Sequence, residues 1–91
     1  MRVIWTGKAL GDLVRLHAFL WPVNPRAAAV VLAQIKSGPR HLQAHPRLGE
    51  RVTEFADREV RRLVVADYEM RYEVKSDAVW ILRVWHTREE R

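Results

Sequence analysis

Residues 60–74 read VRRLVVADYEMRYEV: a β-prone run, a two-residue break at Ala66-Asp67, and a second run in which apolar and charged side chains alternate. Period-two alternation places Tyr68, Met70, Tyr72 and Val74 on one face of a strand and Glu69, Arg71 and Glu73 on the other. Two such runs joined through a tight turn predict a β-hairpin. Lys75-Ser76-Asp77 turns the chain again. Residues 78–85, AVWILRVW, are then apolar on both faces apart from Arg83, the pattern of a strand in the middle of a sheet. The second half of the chain is thus expected to be a three-stranded antiparallel meander ending in a polar tail, His86 to Arg91.

Upstream the period changes from 2 to 3.6. Arg2-Val3-Ile4-Trp5 is a short strand candidate, and Thr6 suits the cap of a helix. From Ala9 to Trp21, Leu10, Leu13, Val14, Leu16, Phe19 and Leu20 form a broad apolar stripe, with Lys8, Asp12 and Arg15 on the other side. Trp21-Pro22 ends that helix. Asn24-Pro25 starts another with a cap residue and a proline at the first helical position, and Ala28, Val31, Leu32 and Ile35 give its stripe. So short a connection predicts an antiparallel helical hairpin. Ser37-Gly38-Pro39 interrupts the second helix, Arg40 to Ala44 resumes about a turn, and His45-Pro46 and Leu48-Gly49 form a loop. The sum is one α+β domain over residues 1–91: a strand, a helical hairpin, and a meander whose one face the hairpin covers.

Composition narrows the partners. The chain is too short for a second, cofactor-binding domain. It has 16 Lys+Arg against 11 Asp+Glu, a formal charge of +5, and no Cys, which excludes disulfides and a thiol nucleophile. Asp12 is the only acid before Arg47, so the excess charge resides in the helical half. Most of the basic residues are Arg, which suits bidentate pairing with carboxylate as well as with phosphate. No apolar run approaches a membrane span and no leader pattern is present, so a cytoplasmic protein is expected.

Several of these segments together carry a resemblance. Asn24-Pro25 with its Ala run, LQAHPRLGERV (residues 42–52), REVRRLVVADYEMRYEV (58–74) and VWILRVWHTREER (79–91) resemble the RelE/ParE superfamily of toxins from bacterial type II toxin–antitoxin systems. The resemblance implies a microbial-ribonuclease-like α+β fold, a growth-inhibiting or plasmid-stabilising activity, and a cognate ParD/RelB-like antitoxin that holds the toxin in a hetero-oligomer. The RelE-like branch cleaves messenger RNA on the ribosome; the ParE-like branch inhibits DNA gyrase by protein contact. Cleavage through the 2′-hydroxyl needs a base, cationic donors for the phosphorane-like transition state, and an acid for the leaving oxygen. Where RelE-like toxins carry Arg in the second place of the Tyr-x-x-x-Tyr strand, this chain has Glu69, and no aromatic follows Trp85; Arg88 alone matches. The resemblance is therefore closer to ParE, with the ribonuclease as the alternative and a decayed toxin kept as an interaction module as a third reading.

Candidate residues follow. His86, Arg88, Arg83 and Arg61 are the weak catalytic candidates of a rearranged ribonuclease site. Arg61, Arg71, Arg83 and Arg88 are candidates for a shared anion-binding patch, although Arg61 and Arg71 have many Glu neighbours with which to pair. Glu69 and Glu73, with Arg71 between them, predict cross-strand ion pairs rather than a general base. Trp21, at the hairpin tip, is a candidate partner anchor, and Arg15, Arg71, Arg83 and Arg88 join it as partner-binding residues. Trp5, Trp80 and Trp85 lie on strands and are expected to build core, and His17 is expected to be a packed helix residue. His41 and His45 have helical metal spacing but no third ligand, so neither a metal nor a cofactor is expected.

Overall fold

A computed structural model describes residues 1–89. Strand β1 (Arg2–Trp5) leads into helix α1 (Gly7–Leu20) and helix α2 (Pro25–Ser37); a 3₁₀ helix (Gly38–Gln43) follows, then strands β2 (Glu50–Arg51), β3 (Val60–Val65), β4 (Tyr68–Val74) and β5 (Ala78–His86). The helix starts are chemical. Thr6 Oγ1 accepts from the Ala9 N–H at 3.2 Å and Asn24 Oδ1 from the Ala27 N–H at 3.1 Å, each satisfying a donor that has no intrahelical partner. The expected α+β order is borne out, and the meander extends into a five-stranded sheet of order β1-β5-β4-β3-β2, with β1 parallel to β5. β2 has no sequence signal because it is two exposed charged residues paired to Arg61 and Arg62.

The helices cover one sheet face. Ala9, Leu13 and Leu16 of α1, Leu32 and Ile35 of α2, and Leu42 pack on Tyr68, Met70, Tyr72, Val79, Ile81 and Val84. The expected broad stripe on α1 divides: Leu13 and Leu16 are buried, while Leu10, Val14 and Phe19 are at least half exposed. Asp12, expected on the outer side, is buried. The reason lies in β5. β1 ends opposite Ile81, so beyond that point β5 has no strand on its outer side. Leu82 is an extra residue there: Ile81 pairs with Tyr72 and Arg83 with Arg71, a bulge that returns Val84 to the core face. At the bulge α1 takes over as the neighbour. Thr6 Oγ1 donates to the Ile81 carbonyl at 2.8 Å, Asp12 accepts from the Val84 N–H at 2.8 Å, and Arg15 donates to the Val84 carbonyl at 3.2 Å. Side chains of α1 and of its cap residue Thr6 thereby satisfy backbone groups that a strand would otherwise satisfy.

The β3–β4 turn holds a local strain. Val65 pairs with Tyr68, so Ala66 and Asp67 are the two central turn residues, and Ala66 sits at φ 53°. Hairpin turns of this length need positive φ at the first central position, where glycine has no Cβ to clash. Ala66→Gly is expected to stabilise the protein by about 0.5–1 kcal/mol, the strain relieved exceeding the entropy lost to a more flexible unfolded chain; urea denaturation measures it.

Candidate functional site

The face of the sheet away from the helices carries a row of three arginines, Arg62 on β3, Arg71 on β4 and Arg83 on β5, in direct register. Like charges side by side repel, and each has a compensating partner. Arg83 makes a bidentate pair with Asp12 at 2.8 and 3.0 Å. Arg71 donates to Glu69 at 3.2 Å and Arg62 to Glu50 at 3.1 Å. The Arg71 and Arg83 guanidinium groups also lie over the Trp85 ring, 5.3 and 5.1 Å from its centroid, an attraction between cation and ring quadrupole. Trp80 and Trp85 therefore serve this charged face rather than the core; Lys75 stacks on Trp80 in the same way. Trp5, by contrast, packs against the helix-side cluster.

Glu69 and Glu73 are buried at 3% and 7% exposure and are paired as expected, but with different partners. Glu73 receives both arms of Arg58, from the loop before β3, at 2.8 and 3.0 Å. Glu69 takes Arg71 of its own strand and, at 3.8 Å, Arg62 across the ladder. The Arg58 hydrogen bonds hold the Glu73 carboxyl below its ordinary pKa against the effect of burial. Neither acid is arranged as a general base for an incoming substrate.

Arg61 does not belong to the arginine row. It shares the register of Tyr72, on the opposite face, and its guanidinium holds Glu59 at 2.9 Å and the Gly49 carbonyl at 2.8 Å. His86 and Arg88 are apart from both groups. They sit where β5 ends, with the Arg88 N–H donating to His86 Nδ1 at 3.1 Å and the His86 ring edge-on to Tyr68 at 5.1 Å. Arg61 is thus held on the other face of the sheet by Glu59, whereas Arg83 is paired with Asp12 and reaches the His86–Arg88 end of β5 only through the chain of Asp12, Arg15 and Glu89, and the four-arginine patch does not assemble.

His86 and Arg88 instead line a cleft of about 560 Å³ between α1 and the chain's C-terminal turn. Its walls are Leu16, Phe19, Leu20 and Tyr68, and its polar rim is Arg15, His86, Arg88 and Glu89. Arg15 bridges the rim, donating to both Glu89 oxygens at 2.9 Å while lying 3.6 Å from Asp12. Burial resists ionisation of Glu89, but Arg15 and the His86 N–H outweigh it and hold its pKa low. Glu89 falls in the stretch expected to be a polar tail, whose last two residues lie outside the described residues; only its contact with α1, 74 positions away in sequence, reveals its role.

Trp21 is half exposed and stacks on His17 at 5.1 Å, so His17 belongs to the outer surface and not to the packing. Leu10, Val14, His17 and Trp21 follow one another at helical spacing, and Phe19, Val23 and Val30 add three more apolar side chains exposed by 57% or more. Lys8, Arg26, Lys36 and Arg40, on or beside the same two helices, have no ion pair among the described residues. The helical hairpin thus carries an uncovered apolar strip beside cations unpaired among the described residues, the kind of exposed apolar patch that in general marks an interaction site.

The comparisons with known proteins agree with this layout. Residues 3–91 match the family model described as "ParE toxin of type II toxin-antitoxin system, parDE". Toxin RelE2 of Caulobacter vibrioides is 32% identical over 86 residues, covering 93% of each chain. A solved structure, "Chromosomal ParDE TA system from P. aeruginosa", superposes with a TM-score of 0.81 at 26% identity, covering 94% of this chain and 95% of that one. The chain therefore belongs to the ParE toxin family of type II toxin–antitoxin systems.

Proposed function

We propose that this toxin arrests growth by protein contact, with DNA gyrase as its target, and that a cognate antitoxin neutralises it by covering the helical hairpin. On a plasmid the same pair would stabilise inheritance; both proteins would act in the cytoplasm. The observation that supports contact over catalysis is the distribution of free and committed side chains. Arg61, Arg71 and Arg83 are engaged by carboxylates, so RNA cleavage would first have to break those pairs. Among the described residues, the cations beside the apolar strip from Leu10 to Trp21 have no such internal partner. An antitoxin segment that is acidic and amphipathic, and ordered only when bound, matches that surface in both charge and polarity. Arg15 and Arg88 extend the surface toward the C-terminal cleft, while Arg71 and Arg83 are proposed partner contacts only through their outer edges.

The tests separate the targets. Induction should arrest growth, and co-expression of the small protein encoded beside the toxin should restore it. Purified toxin should inhibit gyrase supercoiling or accumulate cleavage complexes. Codon-phased cuts in primer extension, with gyrase untouched, would instead establish the ribonuclease alternative, and antitoxin binding without growth arrest would establish the decayed interaction module. Trp21→Ala should weaken antitoxin binding by about 2 kcal/mol, some 30-fold, as truncation of an interface anchor does. Its thermal midpoint should stay unchanged, because Trp21 is half exposed and outside the core. An unchanged affinity would remove Trp21 as an anchor.

A further inference from the structure

The cleft between α1 and the end of β5 contains polar groups that the fold itself does not use. Arg15, Leu16, Phe19 and Leu20 face it from two successive turns on one flank of α1, and Tyr68 borders it from β4. Tyr68 is only 5% exposed, yet its hydroxyl has no hydrogen-bond partner among the described residues. A buried phenol ordinarily finds one. Among those residues Trp80 Nε1 is the one fully enclosed side-chain polar atom without a partner, so the Tyr68 hydroxyl meets open space, and the space that Tyr68 borders is the cleft. Burial, with the charges of Asp67 and Glu89, pushes the Tyr68 pKa up, which keeps the O–H a donor.

The charges on the rim do not cancel. Arg15 donates to both Glu89 oxygens and lies 3.6 Å from Asp12, which in turn holds Arg83, so these four charges balance. Arg88 is left over, with no ion pair among the described residues. Beside it His86 accepts the Arg88 N–H on Nδ1, which leaves Nε2 to carry the ring proton. The apolar wall is equally unsatisfied, because Phe19 is 74% exposed. A cleft of about 560 Å³ is of the size that takes a small molecule.

We propose that this cleft binds a small aliphatic carboxylate, its chain packed on Leu16, Phe19 and Leu20 and its head held by the Arg88 guanidinium and the Tyr68 hydroxyl. A monoanion fits because one cation is unmatched and Glu89 lies on the same rim, where the second charge of a phosphate monoester would be uncompensated. A purely apolar molecule would cover the Tyr68 hydroxyl without giving it an acceptor. The site uses the flank of α1 that faces β5, apart from the Leu10, Val14, His17 and Trp21 row, and it is independent of the target of the toxin.

Calorimetric titration of the full-length toxin with octanoate tests the site against octanol, which lacks the charge, and acetate, which lacks the chain. Octanoate is expected to bind at least about tenfold more tightly than octanol, the worth of one hydrogen bond to a charged group, and at least about a hundredfold more tightly than acetate. Arg88→Gln should weaken octanoate about tenfold and leave octanol unchanged. Tyr68→Phe, which keeps the ring in the core, should weaken octanoate about fivefold. Phe19→Ala should weaken both ligands without moving the thermal midpoint, since the side chain is exposed. Backbone amide shifts induced by octanoate should centre on residues 15–20, 68 and 86–89. No binding at millimolar octanoate, equal affinity for octanol, or shifts centred on Leu10, Val14 and Trp21 would each overturn the site. Tighter binding of acetyl-dileucine, whose carboxylate ends a peptide, would overturn the small-molecule assignment in favour of a peptide C-terminus.

Discussion

Asp12→Ala is expected to lower the unfolding free energy by about 3 kcal/mol, the cost of breaking a buried ion pair from one side. Three groups lose their acceptor at once: both arms of Arg83, and the Val84 N–H on the unpaired side of β5. Arg83 is partly exposed and recovers some hydration, which keeps the figure at the low end; the Val84 amide is buried and recovers none. For a domain of this size the thermal midpoint should fall on the order of 15 °C. The pH dependence identifies the cause. Burial of Asp12 opposes ionisation, but the hydrogen bonds from Arg83 and Val84 and the charges of Arg83 and Arg15 outweigh it, so the folded pKa lies below the ordinary value. A depressed carboxylate contributes its full stability above the unfolded-state pKa, about 4, and loses it as pH falls through the folded-state value. Glu59, Glu73 and Glu89 are depressed as well. Wild type should therefore lose stability steeply below pH 4, and Asp12→Ala less steeply. Parallel profiles for the two in urea titrations from pH 7 to pH 3 would mean that the carboxylate is not what holds α1 to β5.

That contact also marks how far the sequence could be read. Local signals were sufficient wherever structure is local: the caps at Thr6 and Asn24, the Ser37-Gly38-Pro39 break, the Ala66-Asp67 turn and the inward face of β4 all lie where the residue pattern places them. What was not legible depends on which elements become neighbours. Asp12 looks like a solvated helix residue by period, because only the end of β1 and the Leu82 bulge create the unpaired Val84 amide that it accepts from. One signal was available, since Asp12 is the lone acid in the first 46 residues. The α1 stripe is narrower than its hydrophobicity suggests for a related reason: the pattern marks Leu10, Val14 and Phe19 as inward, whereas the sheet covers Ala9, Leu13 and Leu16 and part of Leu20. The surplus apolar residues belong to a surface that a partner is proposed to cover. For the site residues the pattern gave the types but not the pairing. Whether Arg83 faces phosphate or Asp12 is decided across 71 positions of sequence.

Gly49→Ala should be nearly as damaging, and for a reason unrelated to glycine's flexibility. No glycine among the described residues has positive φ, so the backbone at Gly49 suits any residue. The constraint is space. A Cβ there would overlap the Arg62 carbonyl oxygen, a backbone atom fixed in the β3 ladder, and would lie 2.8 Å from the Tyr72 hydroxyl. Gly49 also donates its N–H to that hydroxyl at 2.8 Å and accepts from Arg61 at 2.8 Å, so displacement strains both bonds around a fully buried Tyr72. Overpacking against rigid atoms together with a lost buried hydrogen bond is expected to cost about 3 kcal/mol. Tyr72→Phe, which removes the hydroxyl but keeps the ring, should cost about 1–2 kcal/mol, because the Gly49 N–H is left without its acceptor. The two changes meet at one atom, so the double mutant should be more stable than the sum of the single losses by about 1 kcal/mol. Additive losses would show that the Arg62 carbonyl alone excludes a side chain at residue 49. A favourable coupling would show that Leu48-Gly49 and Tyr72 form one packing unit, which joins the loop before β2 to the centre of the sheet.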